Sequence, residues 1–157
     1  MFQGLTEELQ TPKDLLAKLQ FDFTRIEANP CNIFAAFDFF VTAEHLHEWV
    51  VKHYPEWVDD KSIKNEESRL NIVSHIANGV KHFKATHSKH KSVKNVHKRK
   101  GAFQAEPFQS DAFDVGDLVI ELKEDEAEKF GSEISVRTLA QDVVNFWTDK
   151  IRLKEGC

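Results

Sequence analysis

Apolar side chains recur at three-to-four spacing along much of the chain, and this pattern predicts four helices. Leu15, Leu16, Leu19 and Ile26 make the first stripe. Thr11 opens it as N-cap, with Pro12 in the first turn and Asp14 as the capping-box acid at the third helical position. Asn29 and Pro30 repeat the device, so a second helix is predicted from about Pro30 to Tyr54, where Pro55 ends it. Its first half carries Ile33, Phe34, Phe37, Phe39, Phe40 and Val41, apolar almost all round, which predicts a central buried helix. A third helix begins near Asn65 or Glu66 and sets Leu70, Val73, Ile76, Ala77, Val80 and Phe83 on one core face. In the last helix, capped by Ser135, the stripe is Val136, Leu139, Ala140, Val143, Val144, Trp147 and Ile151.

Between the third and last helices the periodicity fails. Residues 85–112 mix Lys, His, Ser, Gly and Pro with isolated Phe103 and Phe108, which predicts a mobile basic loop, about 84–112, leading to an irregular or short extended segment. Leu118-Val119-Ile120-Glu121-Leu122 then reads as a strand, whose partner lies either before it around Phe103 or after it around Phe130. The fold class expected is mainly α: a bundle of about four helices with a small β element between the third and last, all in one domain over residues 1–157.

Composition narrows the class. With 41% hydrophobic and 30% charged residues in 157, the chain buries a core of its own and is not a disordered or low-complexity segment. No apolar run reaches the roughly 20 residues of a membrane span, and the first residues do not read as a secretory signal. Cys31 and Cys157 make no disulfide framework, and Cys31 reads as a small apolar filler, so a cytoplasmic location without membrane contact is expected.

The net charge of -5 hides an uneven distribution. From Ser68 through Ala105 there is no acid. Nine basic residues stand there (Arg69, Lys81, Lys84, Lys89, Lys91, Lys94, Lys98, Arg99 and Lys100), with five of the eight histidines. The rest of the chain sets 12 basic against 26 acidic residues. Such a block is the footprint of a polyanion binder, because each phosphate contact releases condensed counterions. It equally serves a loop lying over the acidic surfaces of its own fold or of a second copy.

The third helix carries a polar stripe. At about 100° per residue, with Asn71 as zero, His75 falls near +40°, Asn78 near -20° and His82 near +20°. This line suits a phosphate or base edge, an imidazole for proton transfer, or pairing across a dimer axis, and it is also what any half-exposed helix shows. Asn78 and Gly79 are poor helix formers there, which points to a packing or site requirement. On the second helix Asp38 stands among phenylalanines with Thr42 and His45 on the same side. If buried, it calls for a His or Arg partner from the third helix; otherwise the stripe faces water. His45 and His47 diverge by about 200° on a helix, and the lysines around His87, His90 and His97 repel a cation, so neither a metal nor a cofactor is expected. No Walker loop, dinucleotide fingerprint or nucleophile elbow is present.

Arg69 to Phe83, reading Arg-Leu-Asn-Ile-Val-Ser-His-Ile-Ala-Asn-Gly-Val-Lys-His-Phe after a long aromatic-rich helix, resembles the third helix of HEPN-like helical domains, with their Arg, four to six residues, His signature. Ala77 to Phe83, with Phe146 and Trp147, also looks like an uncharacterised group of small bacterial and phage-borne proteins. The HEPN resemblance implies RNA binding or metal-independent RNA cleavage at a homodimer interface, with Arg69 on phosphate, His75 in acid/base chemistry, and Asp38 and His45 in support. Read from the polar stripe and the basic block rather than from the resemblance, the candidate polyanion-binding groups are Asn71, Asn78, Lys81, His82, Lys84, Lys98, Arg99 and Lys100. The other reading is a non-catalytic module whose basic loop docks an acidic protein or nucleic acid. On the helical wheel Arg69 lies about 160° from Asn71, on the core-side flank.

Overall fold

The computed structural model describes residues 1–57, 59–100 and 116–155. Helix α1 spans Pro12–Ala28, and its start follows the capping rule: the Thr11 hydroxyl accepts from the Asp14 amide at 3.2 Å, and the Asp14 carboxylate accepts from the Thr11 amide at 2.9 Å. Helix α2 spans Ile33–His53, three residues later than the sequence implied. The reason is local: the Asn32 side chain accepts from the amides of Phe34 and Ala35, so Asn32 is the cap and Asn29 to Cys31 form the preceding turn.

The third predicted helix begins at Arg69 rather than near Asn65 or Glu66, and a short helix that the apolar spacing did not signal precedes it. A short α3, Asp60–Glu66, is capped by the Asp59 carboxylate on the Ser62 amide at 2.9 Å, and α4, Arg69–His82, follows after a break at Glu67 and Ser68. Strand β1 (Val93–Arg99), β2 (Asp117–Leu122), helix α5 (Glu124–Phe130), β3 (Glu133–Ser135) and α6 (Val136–Glu155) complete the order. Ser135 caps α6, its hydroxyl accepting from the Thr138 amide at 3.0 Å.

The protein is mainly α with a small sheet, and the β element is larger than expected: three antiparallel strands in the order β1-β2-β3. Strand β2 has partners on both sides. β1 precedes it with Val96 opposite Ile120, and β3 follows with Ile134 opposite Ile120. The partner proposed near Phe103 lies outside the described residues, and Phe130 belongs to α5. Part of the expected basic loop is therefore strand. Its polar composition hid it, because β1 is an edge strand whose outer side faces water, with a register shift between Val93 and Asn95, and lysines are what guard such an edge against wrong pairing.

The bundle consists of α1, α2, α4 and α6, with α2 packed against both α1 and α4 and α6 against α1. Trp147, Phe39, Leu19, Leu46 and Leu139 are fully buried between them, and each such side chain contributes about 1.5–3 kcal/mol. A charged bridge joins α1 to α2. The buried Asp22 carboxylate accepts from Lys18 Nζ at 2.7 and 2.5 Å and from the Thr42 hydroxyl at 2.7 Å. No helix among the described residues is long and apolar enough to cross a membrane.

Burial of the apolar faces is incomplete. The first half of α2 is not central throughout: Phe39 and Phe40 are buried, whereas Phe34 is 73% and Phe37 47% exposed. On α4, Leu70, Val73 and Ala77 reach the core, but Val80 and Phe83 do not. Of these uncovered positions, Phe34, Phe37 and Val80 adjoin one another through the groove described next.

Candidate nucleic-acid interface

Where α2, α4 and the sheet meet, an apolar groove of about 390 Å³ runs along the surface, lined by Ile33, Phe34, Phe37, Val80, Val96 and Lys98 among others. Phe37 also borders a second, more polar groove of about 340 Å³, to which Glu44, His45, Asn78, Lys81 and Lys89 contribute. Aromatic faces and ammonium groups thus share one surface. A larger cavity of about 590 Å³ lies apart, under Met1 to Gly4 beside Trp49, and includes none of the basic residues from Ser68 to Ala105.

Most of these cations are uncommitted. Lys81, Lys84, Lys89, Lys94, Lys98 and Lys100 have no ion-pair partner among the described residues, while Lys91 lies 3.5 Å from Glu124 and Arg99 pairs with Glu133. Among the described residues, acidic groups thus pair with three of the nine cations of the block, Arg69, Lys91 and Arg99. His82 is exposed in the last turn of α4.

Phe83 closes that helix in an unusual way. It is 89% exposed and holds a φ of 64°, a conformation that costs a bulky residue about 1–3 kcal/mol. Glycine adopts it freely. Phe83→Gly is expected to raise the midpoint of denaturant unfolding, and an unchanged or lowered midpoint would show that this backbone conformation stores no strain.

The residues singled out by the HEPN resemblance occupy two different environments. Arg69 lies at 3.0 Å from Glu67 and 3.3 Å from Asp142, with its guanidinium 4.7 Å from the centre of the Phe130 ring. The Asp142 contact is a charge pair rather than an aligned hydrogen bond, since Arg69 Nε has no hydrogen-bond partner. His75 is on another side of α4, where its Nδ1 accepts from the Val93 amide at 3.0 Å, which places the proton of the neutral ring on Nε2. Burial, and then Lys123, lower the His75 pKa below the ordinary imidazole value. The structure does not bring Arg69 and His75 together. Asp38 is half-exposed and bonded at 2.5 Å to Arg25 of α1, so its partner does not come from the third predicted helix. His45 stands 3.4 Å from Glu48, and Asn78 donates to the Ser74 carbonyl at 2.8 Å. Asn71 lines a polar cavity of about 220 Å³ with Lys64, Ser74, Lys89 and His90.

Of the packing or site requirement read from its sequence, Gly79 meets no packing requirement: a Cβ there has no atom within 4 Å. Gly79→Ala should therefore stabilise the protein by about 0.5–1 kcal/mol through helix propensity, measured by urea unfolding; a loss of stability would show that the space is needed.

A buried polar cluster that sequence reasoning did not single out lies behind the grooves. Ser74 donates to Glu44 at 2.9 Å, and burial raises the Glu44 pKa from its ordinary carboxyl value, while its second oxygen has no partner among the described residues. His47 is 3% exposed and 3.1 Å from Asp60. Burial, reinforced by Lys64, lowers its pKa to about 4. His90, whose ring centre lies 5.5 Å from that of His75, is likewise lowered to about 4 by burial and then Lys89. Spacing from the α2 periodicity places Glu44 and His47 on inward-leaning positions, but their partners come from α3 and α4, 13 to 30 residues away.

No family model, curated protein or solved structure matches this chain. The evidence on function is thus the geometry itself.

Proposed function

We propose that the protein binds single-stranded RNA on the surface formed by α2, the C-terminal half of α4 and β1. One observation carries this reading: ammonium groups with no acidic partner among the described residues border grooves that exposed aromatic rings help to line. Sequence-tolerant single-strand binders combine those two elements, phosphates held by lysines and bases stacked on aromatics. Lys81, Lys84, Lys98 and Lys100 supply charge, and Phe34, Phe37 and Phe83 supply stacking faces. An acidic protein would use the same cations but has less need of the rings. Cleavage by Arg69 and His75, the chemistry implied by the HEPN resemblance, has weaker support, since Arg69 is engaged by Glu67 and Asp142 and His75 anchors the β1 backbone.

The test is fluorescence anisotropy with a labelled single-stranded RNA at several salt concentrations, comparing the wild type with a variant lacking Lys81, Lys98 and Lys100. Binding that is salt-sensitive in the wild type and lost in the variant supports the reading, whereas no binding at low salt overturns it. Gel analysis of the same RNA shows whether it stays intact.

A further inference from the structure

The sheet places three metal-ligating side chains from three strands next to one another. His97 is on β1, Glu121 on β2 and Glu133 on β3, and one ligand atom from each lies within 4.8 Å of the others. The register explains the meeting. Glu121 is directly opposite Glu133 in the β2–β3 ladder and opposite Asn95 in the β1–β2 ladder, and His97, two residues beyond Asn95, points to the same side. Val96 and Lys98 alternate to the other side, towards the apolar groove.

Two carboxylates directly opposite each other on neighbouring strands repel. Arg99 answers part of this by pairing with Glu133 Oε2, leaving Oε1 free of that bond. Glu121 has no ion pair among the described residues. An excess of negative charge from β2 and β3 is thus held beside an imidazole of β1, the strand that comes from the basic block.

We propose that His97, Glu121 and Glu133 bind a divalent metal ion of the zinc class. One imidazole and two carboxylates form the nitrogen and oxygen donor set that such ions accept, with water completing a tetrahedron. Donors about 2.1 Å from zinc stand about 3.4 Å apart, so atoms that lie within 4.8 Å of one another need to close by at most about 1.4 Å, within the reach of glutamate rotamers. The ion replaces the repulsion between Glu121 and Glu133 with attraction to both. Arg99 competes with it for Glu133, which sets a sign for the Arg99 variant.

Calorimetric titration of the full chain with zinc chloride tests this, alongside cobalt absorption as a report of ligand geometry. The wild type is expected to take one tight-binding ion per chain. His97→Ala and Glu121→Gln should each weaken it at least tenfold, and Arg99→Gln should tighten it severalfold by freeing Glu133. Because all three substitutions are on the sheet surface, circular dichroism will show the fold retained. Absence of zinc binding, or binding that neither His97→Ala nor Glu121→Gln weakens because the ion sits on other histidines, overturns the proposal. The RNA reading is independent of either result, since it is tested without metal.

Discussion

On the proposed RNA-binding reading, replacing Lys81, Lys98 and Lys100 with alanine should lower the affinity for single-stranded RNA by a few hundredfold at about 50 mM salt, and by about thirtyfold at about 200 mM. The arithmetic follows from counterion release: each phosphate contact on a single strand contributes about -0.7 to the slope of log affinity against log salt, so three lost contacts flatten it by about 2. The three positions suit the test because they are exposed and have no acidic partner among the described residues, and surface substitutions of this kind change stability by no more than about 0.5 kcal/mol. Lys81 and Lys98 border the two grooves that Phe37 separates, while Lys100 follows the end of β1. Anisotropy titrations across a salt series read the slope directly. A variant with reduced affinity but the wild-type slope would mean that these lysines do not meet phosphate, and the proposed surface would then be wrong.

Acid should destabilise the fold between about pH 6.5 and pH 4. His47 is held neutral in the native state, with a pKa pushed down to about 4, chiefly by burial. In the unfolded chain an imidazole takes its proton near pH 6.5, so between the two values the unfolded state binds more protons and stability falls as pH falls. Above about pH 6.5 the contribution is intact; below about pH 4 the loss is complete. A shift of this size on a nearly buried ring corresponds to about 3 kcal/mol. His90 and His75 are shifted in the same direction, and protonation of His75 at Nδ1 also breaks its bond from the Val93 amide, but both are more open to water and count for less. Glu44 acts the other way. Its pKa is raised by burial, so the native state takes up that proton before the unfolded chain does and regains part of the loss. Urea unfolding followed by tryptophan fluorescence at several pH values measures the slope. His47→Gln should reduce it by about one proton, and an unchanged slope would show that His47 is not the group responsible.

What the sequence by itself determined is local. The capping box at Thr11 and Asp14, the Ser135 cap and the stripe from Val136 to Ile151 arise from interactions within one helical turn, so they were legible from spacing alone. The basic block was equally plain, because charge is a property of composition. Coverage of apolar faces was not legible. Phe34, Phe37, Val80 and Phe83 continue stripes whose other members are buried, and only the arrangement of α2, α4 and the sheet leaves them at the surface. Pairing was also a tertiary matter. β1 has little apolar alternation and becomes a strand because β2, buried along most of its length, offers it a ladder. Arg69 is a cation of the basic block by sequence, yet Asp142 reaches it from 73 positions further on in the chain. The same distance effect unites His97 with Glu121 and Glu133, three residues on separate strands. A helix or a cap is decided by neighbours four residues away at most; which faces remain open, which charges stay unpaired and which ligands meet depend on contacts that only folding makes.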